Sequence, residues 1–302
     1  MTDSDITSYN PSPSDQSLKQ GVDLSGSLGD FIVHFWGVRG SIPTPGTDTV
    51  RYGGNTPCVE VLVNGQRIIF DGGTGLRVLG KNLLHQEPQT EAHIFFTHTH
   101  WDRIQGFPFF LPAFEAKNNF FIYGSTALNG ASIKQRLSEQ MLQPNFFTPL
   151  HQMQSVMEFK DISAGSVIQI GDILVETIGL NQRTTALGYR ITWNDRSLVY
   201  ATDTDHTHAS PDANLQYLAV GADVLIIDGT YADHEYHNSG CCEFVPWQIS
   251  VELAKTANVK ELIMFHHNPC HDDDYLDHLE VEIRSYFPNV RLAREGMILQ
   301  LS

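Results

Sequence analysis

Histidines gathered beside carboxylates are the most informative chemical feature of this sequence. The chain has 14 histidines among 302 residues, and many cluster in four segments: THTHWD (97–102), TDTDHTH (202–208), DHEYH (233–237) and FHHNPCHDDD (265–274). Imidazole nitrogens and carboxylate oxygens are ligands of Zn²⁺ and similar ions. His98 and His100 point to one face of an extended segment, where Asp102 can join them. The clustering predicts a metal site, whereas a single His-x-His would be equally compatible with hydrogen-bonded surface histidines.

Short strands and helices must position these clusters. Turn residues at Asn64-Gly65 and Asn194-Asp195 predict two hairpins. Strands are predicted at FIVHFWGV, at the alternating run CVEVLV and at ELIMFHH, and buried strands at AHIFFTH and ADVLIIDGTY. Helices are predicted over residues 75–84, 126–142, 247–257 and 273–286, with the acidic run 272–274 at the start of the last one.

The order of these elements predicts one layered domain. Strands followed by mixed strands and helices occur twice, which is typical of an α/β domain with two related halves. We assign this domain to residues 31–302. Residues 1–30 are rich in Ser, Asp, Pro and Gly without periodicity, and we expect them to form a disordered tail.

The composition limits the classes of partner and compartment. Asp and Glu number 35 against 19 Lys and Arg, so the formal charge is −16, which argues against general nucleic-acid binding. The 4 cysteines form neither a disulfide framework nor a metal-ligand spacing. We see no signal peptide and no apolar run near the ~20 residues of a membrane span. We therefore expect a soluble, cytoplasmic protein that does not bind membranes.

Eight segments resemble the metallo-β-lactamase fold superfamily, and more narrowly a group related to cyclic-nucleotide phosphodiesterases and tRNA 3′-end endonucleases. They are FWGVRGSIPTPG (35–46), RYGGNTPCVEV (51–61), FDGGTG (70–75), HTHWDRIQGFPFF (98–110), LGYRI (187–191), ATDTDH (201–206), DGTYADHEY (228–236) and FHHNPCHDDD (265–274). The resemblance spans residues 35–274. It implies a four-layer αββα sandwich with the functional site at one edge of the two sheets.

The resemblance also implies a pair of metal ions, whose ligands this chain retains in part. The first family motif, His-x-His-x-Asp-His, is matched up to its aspartate, and the bridging aspartate and the final ligand histidine are present. The matching residues are His98, His100, Asp102, Asp203 and, as the final ligand, His267. His266, His206 or His271 could instead fill a vacant ligand position.

Three histidines of the family pattern are replaced, by Arg103, Gln182 and Phe244. Phe244 stands where the family has a histidine that assists leaving-group protonation. Arginine stays protonated in proteins and cannot be a metal ligand. A guanidinium ~4 Å from a divalent ion repels it by roughly 8 kcal/mol at an effective dielectric constant of 20. We therefore expect one zinc ion, or a manganese or iron ion, and an empty second site, with Arg103 and Gln182 available to hold an anionic substrate.

Several side chains near the motifs have structural interpretations. Arg103 either pairs with Asp102 or Asp203 and replaces the charge of the second ion, or points to solvent. Asp71 is expected to orient the histidine loop by hydrogen bonds rather than act as a base. The apolar run FPFFLPAF (107–114) is core, a pocket lip or a homodimer contact.

Two hypotheses of function follow. The favoured one is a pseudoenzyme that binds a nucleotide-like anion, a phosphate ligand or a protein partner, because three histidines are lost while the fold motifs stay intact. The alternative is a mononuclear, metal-dependent phosphodiester hydrolase, acting for example on cyclic nucleotides. A tRNA-processing endonuclease is disfavoured by the net charge of −16.

Overall fold

The computed structural model describes residues 28–181, 185–204, 212–229 and 246–301. Two seven-stranded sheets form the centre of this part of the chain, in the orders β14-β1-β2-β3-β4-β5-β6 and β13-β12-β11-β10-β9-β8-β7. The strands are β1 (Phe31–Gly37), β2 (Cys58–Val63), β3 (Gln66–Phe70), β4 (Glu91–Phe95), β5 (Asn119–Ser125), β6 (Val156–Ile162), β7 (Val167–Ile170), β8 (Ile173–Asn181), β9 (Ala186–Trp193), β10 (Arg196–Ala201), β11 (Val224–Asp228), β12 (Glu261–Phe265), β13 (Val290–Leu292) and β14 (Ile298–Gln300).

Helices lie on the outer faces of both sheets. They are α1 (Thr74–Gln86), α2 (Trp101–Ile104), α3 (Ile133–Glu139), α4 (Ala213–Ala219), α5 (Trp247–Thr256) and α6 (Asp273–Arg284). Short 3₁₀ helices cover Phe107–Phe109, Leu111–Phe114 and Leu150–Gln152. Among the helices of the described ranges, none combines the length and the apolar character needed to cross a bilayer.

Three apolar clusters separate the layers and confirm the predicted αββα sandwich. The central cluster fills the space between the sheets, where the rings of Phe70 and Tyr200 stack 4.8 Å apart. A second cluster joins α1 and α3 to the outer face of the first sheet, and a third joins α4, α5 and α6 to the second sheet. Burial of these apolar surfaces is the main force that holds the four layers together.

Local turn chemistry explains why both predicted hairpins form. Asn64 and Gly65 join β2 to β3 with φ of 46° and 78°, and Asn194 joins β9 to β10 with φ of 52°. Positive φ at these positions suits a tight turn that matches the twist of the strands. Parallel pairing of β3, β4 and β5, and of β10, β11 and β12, then brings several carboxyl-terminal strand ends together.

Three of the four predicted helices agree with the structure within a few residues, and one is corrected. The helix predicted over residues 126–142 is confined to α3, because Gly130 has a φ of 82° and Ser132 caps a new helix by accepting from Gln135 N. The predicted start at the acidic run is confirmed, since the Asp272 side chain accepts from Tyr275 N at the beginning of α6. Most of the predicted tail lies outside the described residues, which begin three positions before β1.

The 107–114 run supplies both core and surface. Phe107 and Phe110 are buried against α1 and β5, whereas Phe109 and Leu111 are each 50% exposed. The run is therefore core on one side and a lip at the surface on the other, and a homodimer contact through it stays a prediction.

Candidate metal centre

Three strand ends deliver side chains to one cavity. His98 and His100 follow β4, Asp203 follows β10, and His266 follows β12. The cavity has a volume of about 270 Å³, and its other lining residues are Ser41, Trp101, Asp102 and Arg103. This convergence explains why clusters far apart in the sequence form one site.

His98, His100 and Asp203 form a donor set that fits a divalent ion. Their ligand atoms all lie within 4.8 Å of one another, and the rings of His98 and His100 are 4.4 Å apart, edge to face. Burial lowers the pKa of His98 to about 3, so its imidazole is neutral and able to coordinate. Two imidazoles and a carboxylate are a ligand set that suits zinc and related ions.

A buried hydrogen-bond chain fixes the orientation of His98. The Thr97 backbone N–H and hydroxyl both donate to Asp71 Oδ1 at 2.9 Å, and Thr97 Oγ1 lies 3.0 Å from His98 Nδ1. Because the Thr97 hydroxyl gives its proton to Asp71, it accepts from His98 Nδ1, which leaves the Nε2 lone pair free for an ion. Asp71 thus orients the histidine loop, as the sequence predicted.

Asp203 is held by the end of a neighbouring strand. Its backbone N–H donates to Asp228 Oδ2 at 2.9 Å, and the Thr204 hydroxyl donates to Asp228 Oδ1 at 3.0 Å. Asp203 has a φ of 65°, a conformation that non-glycine residues adopt rarely and that here coincides with the site. Asp228 therefore holds the backbone of the segment that carries Asp203.

Arg103 is completely buried, so the solvent-facing alternative is wrong. Its Nη1 donates to Asp71 Oδ2 at 2.8 Å and to Thr202 Oγ1 at 2.9 Å, while its Nε lies 3.5 Å from Asp102 Oδ2. Burial alone would lower the pKa of Arg103, but the carboxylates around it, Asp71 foremost, raise it above its ordinary value. The guanidinium is a permanent charge that pairs with Asp102, as predicted, and more closely with Asp71, which was not foreseen.

Asp102 and His266 form a carboxylate–imidazole pair in the same cavity. His266 Nε2 lies 2.9 Å from Asp102 Oδ2, and Ser41 N donates to that oxygen at 3.2 Å. Burial would raise the pKa of Asp102, but the hydrogen bond with His266 and the charge of Arg103 hold it well below its ordinary value. Asp102 is thus the ionised acceptor and His266 Nε2 the donor. A Cβ on Gly40 would lie 2.9 Å from the His266 ring, so glycine leaves room for it.

The structure corrects the assignment of His267. Its side chain is fully buried away from the cavity, with Nε2 2.7 Å from the Ala293 carbonyl oxygen and its ring edge-on to Tyr52 at 5.6 Å. His266, with a φ of 61°, presents the imidazole of this segment to the cavity. The left-handed backbone at His266, just past the end of β12, turns the two neighbouring side chains into different surroundings, and the sequence alone does not show this turn.

Three residues named from the sequence, Gln182, His206 and Phe244, lie outside the described part of the chain. Their expected roles, in substrate binding, as an alternative ligand and in place of a proton-donating histidine, stay predictions. Sequence reasoning left His266 among the alternatives and missed Asp71 as the main partner of Arg103. The signal for Asp71 was its place directly after β3, next to the strand that leads to His98.

We predict that His267→Ala destabilises the protein without changing its metal content. The change removes a buried ring and its hydrogen bond to Ala293, so we expect the free energy of unfolding to fall by about 2–4 kcal/mol. Thermal unfolding measures the loss of stability, and elemental mass spectrometry measures the metal content. Loss of the ion from a folded His267→Ala variant would contradict the placement described above.

The fold described above is shared with a known class of proteins. A sequence profile described as the Beta-lactamase superfamily domain matches residues 66–267. The chain belongs to this superfamily.

Individual relatives are distant in sequence but similar along nearly the whole chain. Ribonuclease Z of Gemmatimonas aurantiaca is 22% identical over 321 residues, which cover 90% of this chain and 96% of that protein. The metallo-beta-lactamase fold protein YhfI from Bacillus subtilis superposes with a TM-score of 0.65 at 17% identity, covering 90% of this chain and 99% of YhfI. A diphosphatase of the PhnP family superposes with a TM-score of 0.64 at 17% identity, over 90% and 98% of the two chains. The two structures show a common fold.

Proposed function

We propose that this protein is a metal-dependent phosphodiester hydrolase that uses one divalent ion, held by His98, His100 and Asp203. The supporting observation is the convergence of their ligand atoms within 4.8 Å at the cavity. Three protein ligands leave a coordination position for water or substrate. A bound ion would supply Lewis-acid polarisation of a phosphoryl oxygen and would acidify a water molecule.

Arg103 is suited to hold the substrate phosphate. Its Nη1 is committed to Asp71, but its buried Nε and Nη2 have no hydrogen-bond partner among the described residues. Buried donors without partners are costly unless a ligand satisfies them. Because Arg103 lines the cavity and its Nε lies beside Asp102, we assign Nη2 to a phosphate oxygen. Its fixed charge beside Asp102 also supports a site for one ion rather than two.

His266 is suited to deliver a proton to the leaving oxygen. Asp102 fixes its ring through Nε2, and the imidazole faces the cavity that also contains the metal ligands. A positioned general acid contributes about 10²–10⁴-fold to the rate. This histidine offers a substitute for the family histidine that the sequence replaces by Phe244.

The pseudoenzyme hypothesis is the second candidate. It rests on the three replaced histidines and includes binding of a nucleotide-like anion or a protein partner. The position of His266 favours the hydrolase. An oriented imidazole beside the three metal-ligand side chains is not needed for binding alone. The similarity to ribonuclease Z leads us to propose a phosphodiester substrate, and the charge of −16 makes a tRNA substrate less suitable.

The test combines metal content with hydrolysis. We expect about one zinc, manganese or iron ion per chain in protein purified without chelator. We also expect hydrolysis of bis(4-nitrophenyl) phosphate or a cyclic nucleotide that a chelator abolishes and added metal restores. His266→Gln should lower kcat about 10²-fold without changing the metal content. His278→Gln, on the exposed side of α6, is the control.

One outcome would contradict the hydrolase, and another would contradict only the role of His266. Background activity with zinc, manganese and iron in turn, together with calorimetric binding of a nucleotide, would favour the pseudoenzyme. Full activity in His266→Gln would show that His266 is not the proton donor, and it would not contradict the proposed metal site.

A further inference from the structure

A second concave surface adjoins the candidate metal centre. This groove has a volume of about 760 Å³, and its lining includes Arg77, Trp101, Gln105, Phe109, Asn145 and Phe146. Trp101 lines both the groove and the metal-site cavity, because it lies between His100 and Asp102 at the start of α2. A ligand that begins in the cavity can therefore continue into the groove past this indole.

The groove presents aromatic faces to solvent. Trp101 is 63% exposed and Phe109 is 50% exposed, although large aromatic side chains are usually covered. Phe109 packs edge-on against Phe146 at 5.4 Å, which supports it from behind. Exposed, supported rings beside a polar site are platforms on which planar bases stack.

The charge of the groove is opposite to that of the whole protein. Arg77 projects from α1, is exposed, and makes no hydrogen bond or ion pair with any residue of the described ranges. No carboxylate is among the described residues that line the groove, in a chain with a formal charge of −16. An uncompensated guanidinium in an acid-free groove is complementary to a phosphate.

We propose that this groove binds the nucleoside that flanks the scissile phosphodiester, with the base on Trp101 and Phe109 and a second phosphate at Arg77. This inference rests on the proposed hydrolase function and names its substrate class: a linear dinucleotide or short oligonucleotide that carries a terminal phosphate. A cyclic mononucleotide would fill the cavity of about 270 Å³ and leave the groove unused. Hydrolysis adds water across one P–O bond, yielding a phosphomonoester and an alcohol, with the proton passing to the leaving oxygen.

The decisive experiment measures binding without catalysis. Chelator-treated protein is titrated with thymidine dinucleotides that carry or lack a terminal phosphate at the 5′ or 3′ end, and quenching of tryptophan fluorescence is confirmed by calorimetry. We expect one phosphorylated form to bind about tenfold more tightly than the unphosphorylated form. In Arg77→Gln this preference should disappear. Lys81→Gln, the same charge change one turn further along α1, should retain it.

The aromatic platform is tested with the same ligands. Trp101→Ala should weaken dinucleotide binding about tenfold or more, and Trp101→Phe should recover part of the loss because a ring remains. Tyr217→Ala removes an aromatic ring that is 75% exposed on α4, outside the groove, and should have no effect.

The outcomes separate this inference from the proposed function. One outcome is hydrolysis of bis(4-nitrophenyl) phosphate combined with a terminal-phosphate preference that persists in Arg77→Gln. This outcome would contradict nucleotide binding in the groove and would still support the hydrolase function. Dinucleotide binding that depends on Arg77 and Trp101, without hydrolysis by metal-loaded protein, would support the binding groove and contradict the hydrolase function. A dimer in light scattering that Trp101→Ala converts to a monomer, with no dinucleotide bound, would assign the groove to a second copy of the chain and overturn the inference.

Discussion

Replacing His98 by alanine is expected to lower the metal content from about one ion per chain to less than about 0.1 and to reduce phosphodiester hydrolysis at least about 10³-fold. His98 supplies one of the three donors that converge among the described residues, and its Nε2 is the atom that the Thr97–Asp71 chain leaves free. Two remaining ligands bind a divalent ion too weakly to survive purification. Elemental mass spectrometry and initial rates with bis(4-nitrophenyl) phosphate measure the two effects.

The control for this prediction is a second histidine, which lies on the strand before His98 and away from the cavity. His93→Ala removes a partly buried imidazole from β4, the same strand that leads to His98, but His93 contacts Tyr123 and Phe121 instead of the cavity. We expect it to affect stability and to leave about one ion per chain. A folded His98→Ala variant that still holds about one ion per chain would show that the ion lies elsewhere.

Replacing Arg103 by methionine is expected to lower the free energy of unfolding by about 3–5 kcal/mol, which corresponds to a fall in Tm of about 10 °C. The guanidinium is completely buried and pairs with Asp71, which is also completely buried. Removing one partner of a buried pair leaves the other charge without compensation, which costs far more than the loss of an exposed pair. Thermal and denaturant unfolding of metal-free protein measure the effect without interference from ion binding.

A double variant tests the reason given for this instability. In Arg103→Met/Asp71→Asn the buried charge of Asp71 is also removed, so the loss should be smaller than the sum of the two single losses by at least about 1 kcal/mol. Arg284→Met is the matched control, because Arg284 is half-exposed and pairs with Glu280, and we expect less than about 1 kcal/mol. Additive losses in the double variant would mean that Arg103 and Asp71 do not act as a pair.

Local sequence patterns predicted most of the secondary structure because they act over a few residues. The Asn64-Gly65 and Asn194-Asp195 turns and the Asp272 cap all depend on backbone conformations that neighbouring residues set. The helix over residues 126–142 was predicted too long because the positive φ of Gly130 ends any helix that would pass through it. The sequence therefore predicted that a helix exists in this segment, but it did not predict that the helix begins at Ile133.

The sequence named side chains from separate segments for one site, but it chose His267 where the structure brings His266 to the cavity. His98 and His100 share a strand end, so their spacing alone indicates a common face. His266 and His267 are neighbours with opposite environments, one beside Asp102 and one beneath Ala293. Their difference depends on how β12 packs, which no local pattern contains.

By itself the sequence determined the class of the protein, the αββα fold and the types of side chain available for chemistry. Tertiary structure alone decided which of those side chains meet: the choice of His266, the burial of Arg103 against Asp71, and the groove beside Trp101. The physical reason is the sequence separation over which the two kinds of interaction act. Propensities, turns and side-chain periodicity are set within a few residues, whereas the charge, solvation and ligand geometry of a site depend on side chains that folding brings together from distant strands.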